Sequence, residues 1–232
     1  MKNHIDLKVS DGNEMAAYAS FPENKTGKLP GIMVWQEAFG VNNHMRRVTD
    51  RFAKAGYVAI CPELFHRTAP KDFEGSYTDF ETVRPHTSAL TVPGLEADIR
   101  ATYDWLCTQE NVDRERIYCV GYCMGGRVSF MTNSILPVKA AVSYYGGGTD
   151  TIADRASNLH GKQLFYWGGL DKHIKSENIH TVLKAMEAAG KDFINVKISY
   201  ADHGFNCDER ASYNQAASEE AWALTLAFLA NN

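Results

Sequence analysis

From Leu29 onward the chain alternates short, unbroken apolar runs with amphipathic stretches. The runs are GIMVW (31–35), YVAIC (57–61), RIYCVGY (116–122), VKAAVSYY (138–145), QLFYWG (163–168) and FINVKISY (193–200). Helical spacing is expected near 43–55, near 94–108, from about 124, near 176–189 and near 214–230. A strand that is apolar throughout must be covered on both faces, so such runs separated by helices predict a mostly parallel sheet with helices on each side. Residues 4–20 read differently, as two strands joined at Asp11-Gly12. That pair tolerates the positive φ of a tight hairpin, so an antiparallel N-terminal hairpin is expected. The fold class is α/β.

The alternation lapses between Pro62 and Pro93 into polar sequence containing proline and glycine. Loops of this length in compact domains usually carry function, which makes 62–92 a candidate lid or substrate wall. At 232 residues with 44% hydrophobic content, a sizeable core is possible, and one domain over 1–232 is expected. A net charge of −4 argues against a nucleic-acid surface, where basic groups displace counterions from phosphates. The start, MKNHIDLKVSDGNE, has no apolar h-region, and no apolar run is long enough to cross a bilayer. Cysteines at 61, 107, 119, 123 and 207 are odd in number with no CxxC pair, which fits reduced thiols. A cytoplasmic location and no membrane partner are therefore expected. The triplet Asn24-Lys25-Thr26 matches a glycosylation sequon, but with no signal peptide it carries no weight.

Chemistry enters at Gly121-Tyr122-Cys123-Met124-Gly125. This is the G-x-nucleophile-x-G spacing, directly after an expected strand and directly before an expected helix. A nucleophile on such a turn is strained, and its neighbours must be small where backbone crowds them. The following helix aims free N–H groups at the sulfur and favours negative charge there. Glycines alone would prove little, since a free cysteine is most often a buried inert thiol. In this architecture the acid and then the histidine follow the nucleophile, each in a loop after a strand. Asp171 follows QLFYWGG and His203 follows FINVKISYAD, so both fit that order. His173 competes with His203 but sits beside the expected acid, and Asp202 competes with Asp171. An acid on a separate loop reaches the ring nitrogen more readily, which favours Asp171. No HExxH-like spacing supports a metal site at Asp171, His173, Asp202 and His203, and no cofactor is expected. The backbone N–H groups of Ala38, after the first central strand, and of Met124 are the expected oxyanion donors. Glu37 beside Ala38 is then an ionisable group near the site.

With these residues in view, QEAFGVN (36–42), GYCMGG (121–126), SYYGG (143–147), GGLD ending at Asp171 and DHGF (202–205) resemble the dienelactone hydrolase family of α/β hydrolases. The landmarks span most of the chain in the family's order. The resemblance implies the α/β-hydrolase fold and a Cys123–His203–Asp171 triad. It further implies that Glu37 pairs with the thiol in the resting enzyme, so that thiolate forms only when substrate arrives. It assigns substrate contacts to loop arginines, for which Arg84 and Arg67 are the candidates, and Tyr144 and Phe205 are candidates within the shared motifs. One departure matters. The stretch His203-Gly204-Phe205-Asn206-Cys207 has no arginine before Arg210 to grip a substrate carboxylate, which points to a neutral or differently shaped ester.

The reading expected is hydrolysis of a small carboxylic ester or lactone through a thioester on Cys123. A thioesterase, acyltransferase or thiol peptidase would share the triad, and a non-catalytic thiol-sensing or binding protein would carry it without turnover. Thiolate is a good leaving group, so activated esters and enol lactones are easier targets for it than amides.

Overall fold

The expected hairpin forms in the computed structural model of the chain, which describes residues 4–23 and 25–232. Residues 1–3 of the N-terminal stretch and Asn24 of the sequon lie outside the described residues. The strands make up an eight-stranded, mostly parallel sheet with an antiparallel hairpin at its start. The contacts group the chain into two compact units, Met1–Tyr118 and Cys119–Asn232. The strand β5 (Val112–Tyr122) runs from one into the other.

In the first unit β1 (His4–Lys8) pairs antiparallel with β2 (Glu14–Ser20). β2 pairs antiparallel with β4 (Val58–Pro62), and β4 runs parallel to β3 (Leu29–Trp35). β3 and β4 are buried almost end to end, as their unbroken apolar sequences demand. Helix α1 (Asn43–Ala55) starts where the Asn42 side chain accepts the Met45 N–H at 3.1 Å. It stops at Gly56, whose φ of 108° and N–H to the Ala53 carbonyl make a left-handed cap.

The 62–92 segment is more ordered than its polar sequence suggests. It contains a short helix, α2 (Arg84–Ser88), and leads into α3 (Val92–Thr108), capped by Thr91. Phe73 and Tyr77 pack against Ala38, Phe39 and Val83, Gly75 N–H donates to the Phe39 carbonyl at 3.0 Å, and Asn42 donates to the Tyr77 hydroxyl at 2.8 Å. Hydrophobic contacts that pair residues so distant in sequence leave no periodic signal along the chain, so this packing is visible only once the chain is folded.

In the second unit β6 (Ala140–Tyr144), β7 (Lys162–Gly168) and β8 (Phe193–Ile198) are parallel neighbours. Helix α4 (Met124–Ile135) is buried nearly all round and accordingly carries Gly125, Gly126, Ser129 and Thr132 among its apolar residues. A 3-10 segment at Thr149–Asn158, absent from the sequence expectation, packs on α4. α5 (Ser176–Ala188) and α6 (Gln215–Ala230) complete the unit. The hydroxyls of Tyr144 and Tyr166 reach α6 at the Thr225 hydroxyl, 2.7 and 3.2 Å away, tying the helix to the strands. No helix of the described residues is long and apolar enough to cross a membrane.

Candidate active site

The second unit gathers its polar chemistry where β5 meets α4. Cys123 caps the helix with φ 54° and ψ −120°, a backbone that a side-chain-bearing residue adopts at a cost of about 1–3 kcal/mol. Two backbone bonds hold it there, from Cys123 N–H to the Tyr144 carbonyl at 3.0 Å and from Gly126 N–H to the Cys123 carbonyl at 2.9 Å. The flanking glycines have a direct steric reason. A Cβ on Gly121 would stand 1.8 Å from the Gly125 carbonyl oxygen, so the turn closes only without one.

The other two side chains arrive from the ends of β7 and β8. A Cβ on Gly169 would meet the Ser199 backbone at 2.5 Å, so the GGLD loop packs on the neighbouring loop only through glycine. Leu170 N–H also donates to the Ala201 carbonyl at 2.9 Å. His203 then bridges two groups: Nδ1 lies 2.8 Å from Asp171 Oδ2 and Nε2 lies 3.1 Å from Cys123 Sγ. An N–H on Nδ1 donates to the carboxylate, leaving Nε2 to face the sulfur. Asp202 turns to its own neighbour, accepting the His203 backbone N–H at 2.6 Å. Of the two competing acids, Asp171 is the one at the ring. His173 is exposed, its ring centroid 5.4 Å from that of His203.

Burial opposes charge on His203, yet its electrostatic interaction with Cys123 and the bond to Asp171 outweigh it and hold the imidazole well above its ordinary pKa of 6.5. Burial would likewise raise Asp171, whose side chain is fully covered. The His203 bond and the backbone N–H groups of Ile174 and His173 reverse that and keep its pKa below the ordinary 3.8. The arrangement therefore favours an imidazolium held between a carboxylate and a sulfur, which is suited to proton transfer at Cys123.

The remaining expected residues are placed as follows. Glu37 and Ala38 are buried in the loop after β3, and Met124 is the first residue of α4. Tyr144 is fully buried with its hydroxyl on Thr225, and Phe205 is fully buried with its ring 5.2 Å from Tyr145. Arg67 donates to Asp98 through both terminal nitrogens, at 2.9 and 2.8 Å, and to Asp11. Arg84 is exposed and bonds to Glu81. The Arg210 guanidinium lies over Gly204, beside His203. Two residues escaped the sequence reading. Tyr145, at a φ of 38°, lays its ring 5.1 Å from His203. Arg127 stands one turn into α4, and its signal was available as the only charge in MGGRVSFMTNSI.

A strand, a strained turn and a helix presenting a cysteine to a histidine and an acid define an α/β fold of the hydrolase kind. Residues 15–232 match the family model "Dienelactone hydrolase family", and the chain belongs to that family. It is 33% identical over 229 residues to an Escherichia coli O157:H7 protein named "Putative carboxymethylenebutenolidase", covering 94% of this chain and 82% of that one. A Synechocystis protein of the same name is 34% identical over 219 residues, covering 90% of this chain and 88% of that one. The crystal structure of a "Putative Dienelactone Hydrolase" from Klebsiella pneumoniae superposes with a TM-score of 0.88 at 32% identity, covering 99% of this chain and 98% of the other. The chain is thus a dienelactone hydrolase-like hydrolase.

Proposed function

We propose that the protein hydrolyses a small carboxylic ester or lactone through a thioester on Cys123. Supporting this above all is the single histidine that spans Asp171 at 2.8 Å and Cys123 at 3.1 Å. The Cys123 thiolate attacks the carbonyl carbon, and the resulting oxyanion is held by the N–H groups of Met124 and Ala38. The carbon–oxygen bond breaks as His203 imidazolium gives its Nε2 proton to the leaving alkoxide. Neutral His203 then takes a proton from water, the hydroxide attacks the thioester, and the thiolate leaves with the imidazolium restored. Asp171 keeps Nδ1 protonated through both halves. Glu37, a wholly buried carboxylate, is the thiol's alternative partner before substrate arrives, and the 3.1 Å contact between His203 and Cys123 corresponds to the arrangement after that exchange.

A neutral acyl group is the preferred substrate, because Arg67 is taken by Asp98 and Asp11 and Arg84 by Glu81. A reducing, cytoplasmic setting belongs to the same reading, in line with an odd number of cysteines and no CxxC pair in the sequence. The test is intact-mass spectrometry after brief exposure to activated esters and lactones. An acyl mass on Cys123 that is absent from Cys123→Ala is expected; turnover that persists in Cys123→Ala would remove the proposal.

A further inference from the structure

Arg127 lies four residues beyond Cys123, which caps α4 on a non-helical backbone, so the cation stands within about one turn of the thiol along the chain. It is half-buried, and its Nε is sealed from solvent without an acceptor. This is unusual for a group that carries five donors and a permanent charge. Three other arginines show what such donors ordinarily find: Arg46 bonds Glu74, Arg67 bonds Asp98 and Asp11, and Arg116 bonds Asp113 and the Lys28 carbonyl. Arg127 has no carboxylate partner. Its side chain runs against the 146–148 turn, where a Cβ on Gly148 would stand 3.4 Å from both Cδ and Nη1.

A half-buried cation without a counterion is costly unless some nearby negative charge offsets it. The elements packed on α4 offer little. β6 carries only Tyr144, whose hydroxyl is on Thr225, and the 3-10 segment carries Asp150, which accepts from Asn178 at 2.7 Å, exposed Asp154, and Arg155. The ionisable groups around Cys123 in this unit are His203, Asp171 behind it, His173 at the ring's edge, Asp202 on the His203 backbone N–H and the Arg210 guanidinium over Gly204. Counted as charges, thiolate, imidazolium and Asp171 carboxylate leave a net −1, and Asp202 and Arg210 beside them offset one another.

We infer that Arg127 is a positioning residue that acts through Cys123: its permanent positive charge, one turn along α4, offsets that net negative charge and favours the thiolate. Burial draws the guanidinium below its ordinary pKa, while the charge on Cys123 pulls in the opposite direction, as this pairing requires. The role rests on the proposed nucleophile but is separable from it, because thiol reactivity is measured without substrate.

The experiment follows the iodoacetamide alkylation rate of Cys123 against pH, read by peptide mass, in Arg127→Lys, Arg127→Gln and Arg127→Met. The midpoint should rise by on the order of one pH unit in Gln and Met and stay near the parent value in Lys. Far- and near-ultraviolet circular dichroism identifies folded variants, and either neutral variant suffices. An unchanged midpoint in a folded neutral variant overturns the inference, as does a Lys midpoint displaced as far as that of Gln, which would make shape rather than charge the cause. Hydrolysis surviving in Cys123→Ala would instead remove the nucleophile and leave the alkylation result standing.

Discussion

Each unit buries an aspartate against a histidine, and the two pairs have opposite fates. In the first unit His66 Nε2 lies 3.0 Å from Asp98 Oδ1, and Arg67 grips the same fully covered carboxylate with both terminal nitrogens. The other ring nitrogen, His66 Nδ1, is buried and meets nothing. In the second unit Asp171 serves His203 without an arginine, and the far nitrogen faces a thiol on a strained turn. An acid and a histidine in contact are thus a scaffold element until the second nitrogen finds a nucleophile. The guanidinium decides the rest. At Asp98 the guanidinium satisfies the carboxylate and the pair ties α3 to the 62–92 segment; among the described residues no arginine is bonded to Asp171, which bonds His203 instead.

The contrast breaks most sharply at the nucleophile. Cys123→Ala should lower ester hydrolysis by on the order of 10⁴-fold or more, whereas His66→Ala should leave the rate constant for the same ester close to the parent's. The acids come next. Asp171→Asn should cut kcat by about 10²–10⁴-fold through loss of the correct tautomer, whereas Asp98→Asn should leave kcat near the parent's and act on stability alone. Losing the Asp98 charge breaks the buried pair and leaves half-buried Arg67 with Asp11 alone, so a loss of about 3 kcal/mol in urea unfolding is expected. Equal effects of the two substitutions on kcat would erase the distinction between the pairs.

A third expectation concerns pH. Cys123 is the leading cause of the raised His203 pKa, so Cys123→Ala should bring the imidazole titration down, as followed by NMR. Because the folded value exceeds the unfolded 6.5, the His203 contribution to stability is full below that pH and is lost as pH rises through the folded value. Asp171 runs oppositely: its depressed pKa adds stability above about 4 that disappears as pH falls through the folded value. A His203 titration unmoved by Cys123→Ala would mean that the thiol carries no charge toward it. The smallest effect is on substrate choice. A neutral ester should be favoured several-fold over its carboxylate-bearing analogue in kcat/KM, and a preference for the anion that vanishes in Arg210→Ala would assign the anion to Arg210 instead.

Much of this was legible along the chain. Unbroken apolar runs mark buried strands because burial on both faces leaves no polar alternation, and each expected strand and long helix is present within a few residues. β5 begins at Val112 rather than Arg116, since its polar start pairs through backbone, which hydropathy does not register. The 3-10 segment at Thr149–Asn158 and the short α2 have too few turns to produce a period. At the site, the strand–turn–helix around Cys123 and the order of Asp171 and His203 were readable. What Tyr144, Tyr145 and Arg127 do was not, because each depends on who lies opposite.

By itself the sequence determined the strands and long helices, the glycines that let the Cys123 turn close, and the order in which thiol, acid and imidazole appear. These are local properties, set by side-chain size, backbone freedom and period. Tertiary structure alone decided that Asp171 rather than Asp202 meets the ring, that Arg67 and Arg84 are already paired, and that Arg127 lacks a carboxylate. Pairing between residues tens of positions apart depends on packing in space, and electrostatic energy follows distance through the fold rather than distance along the chain.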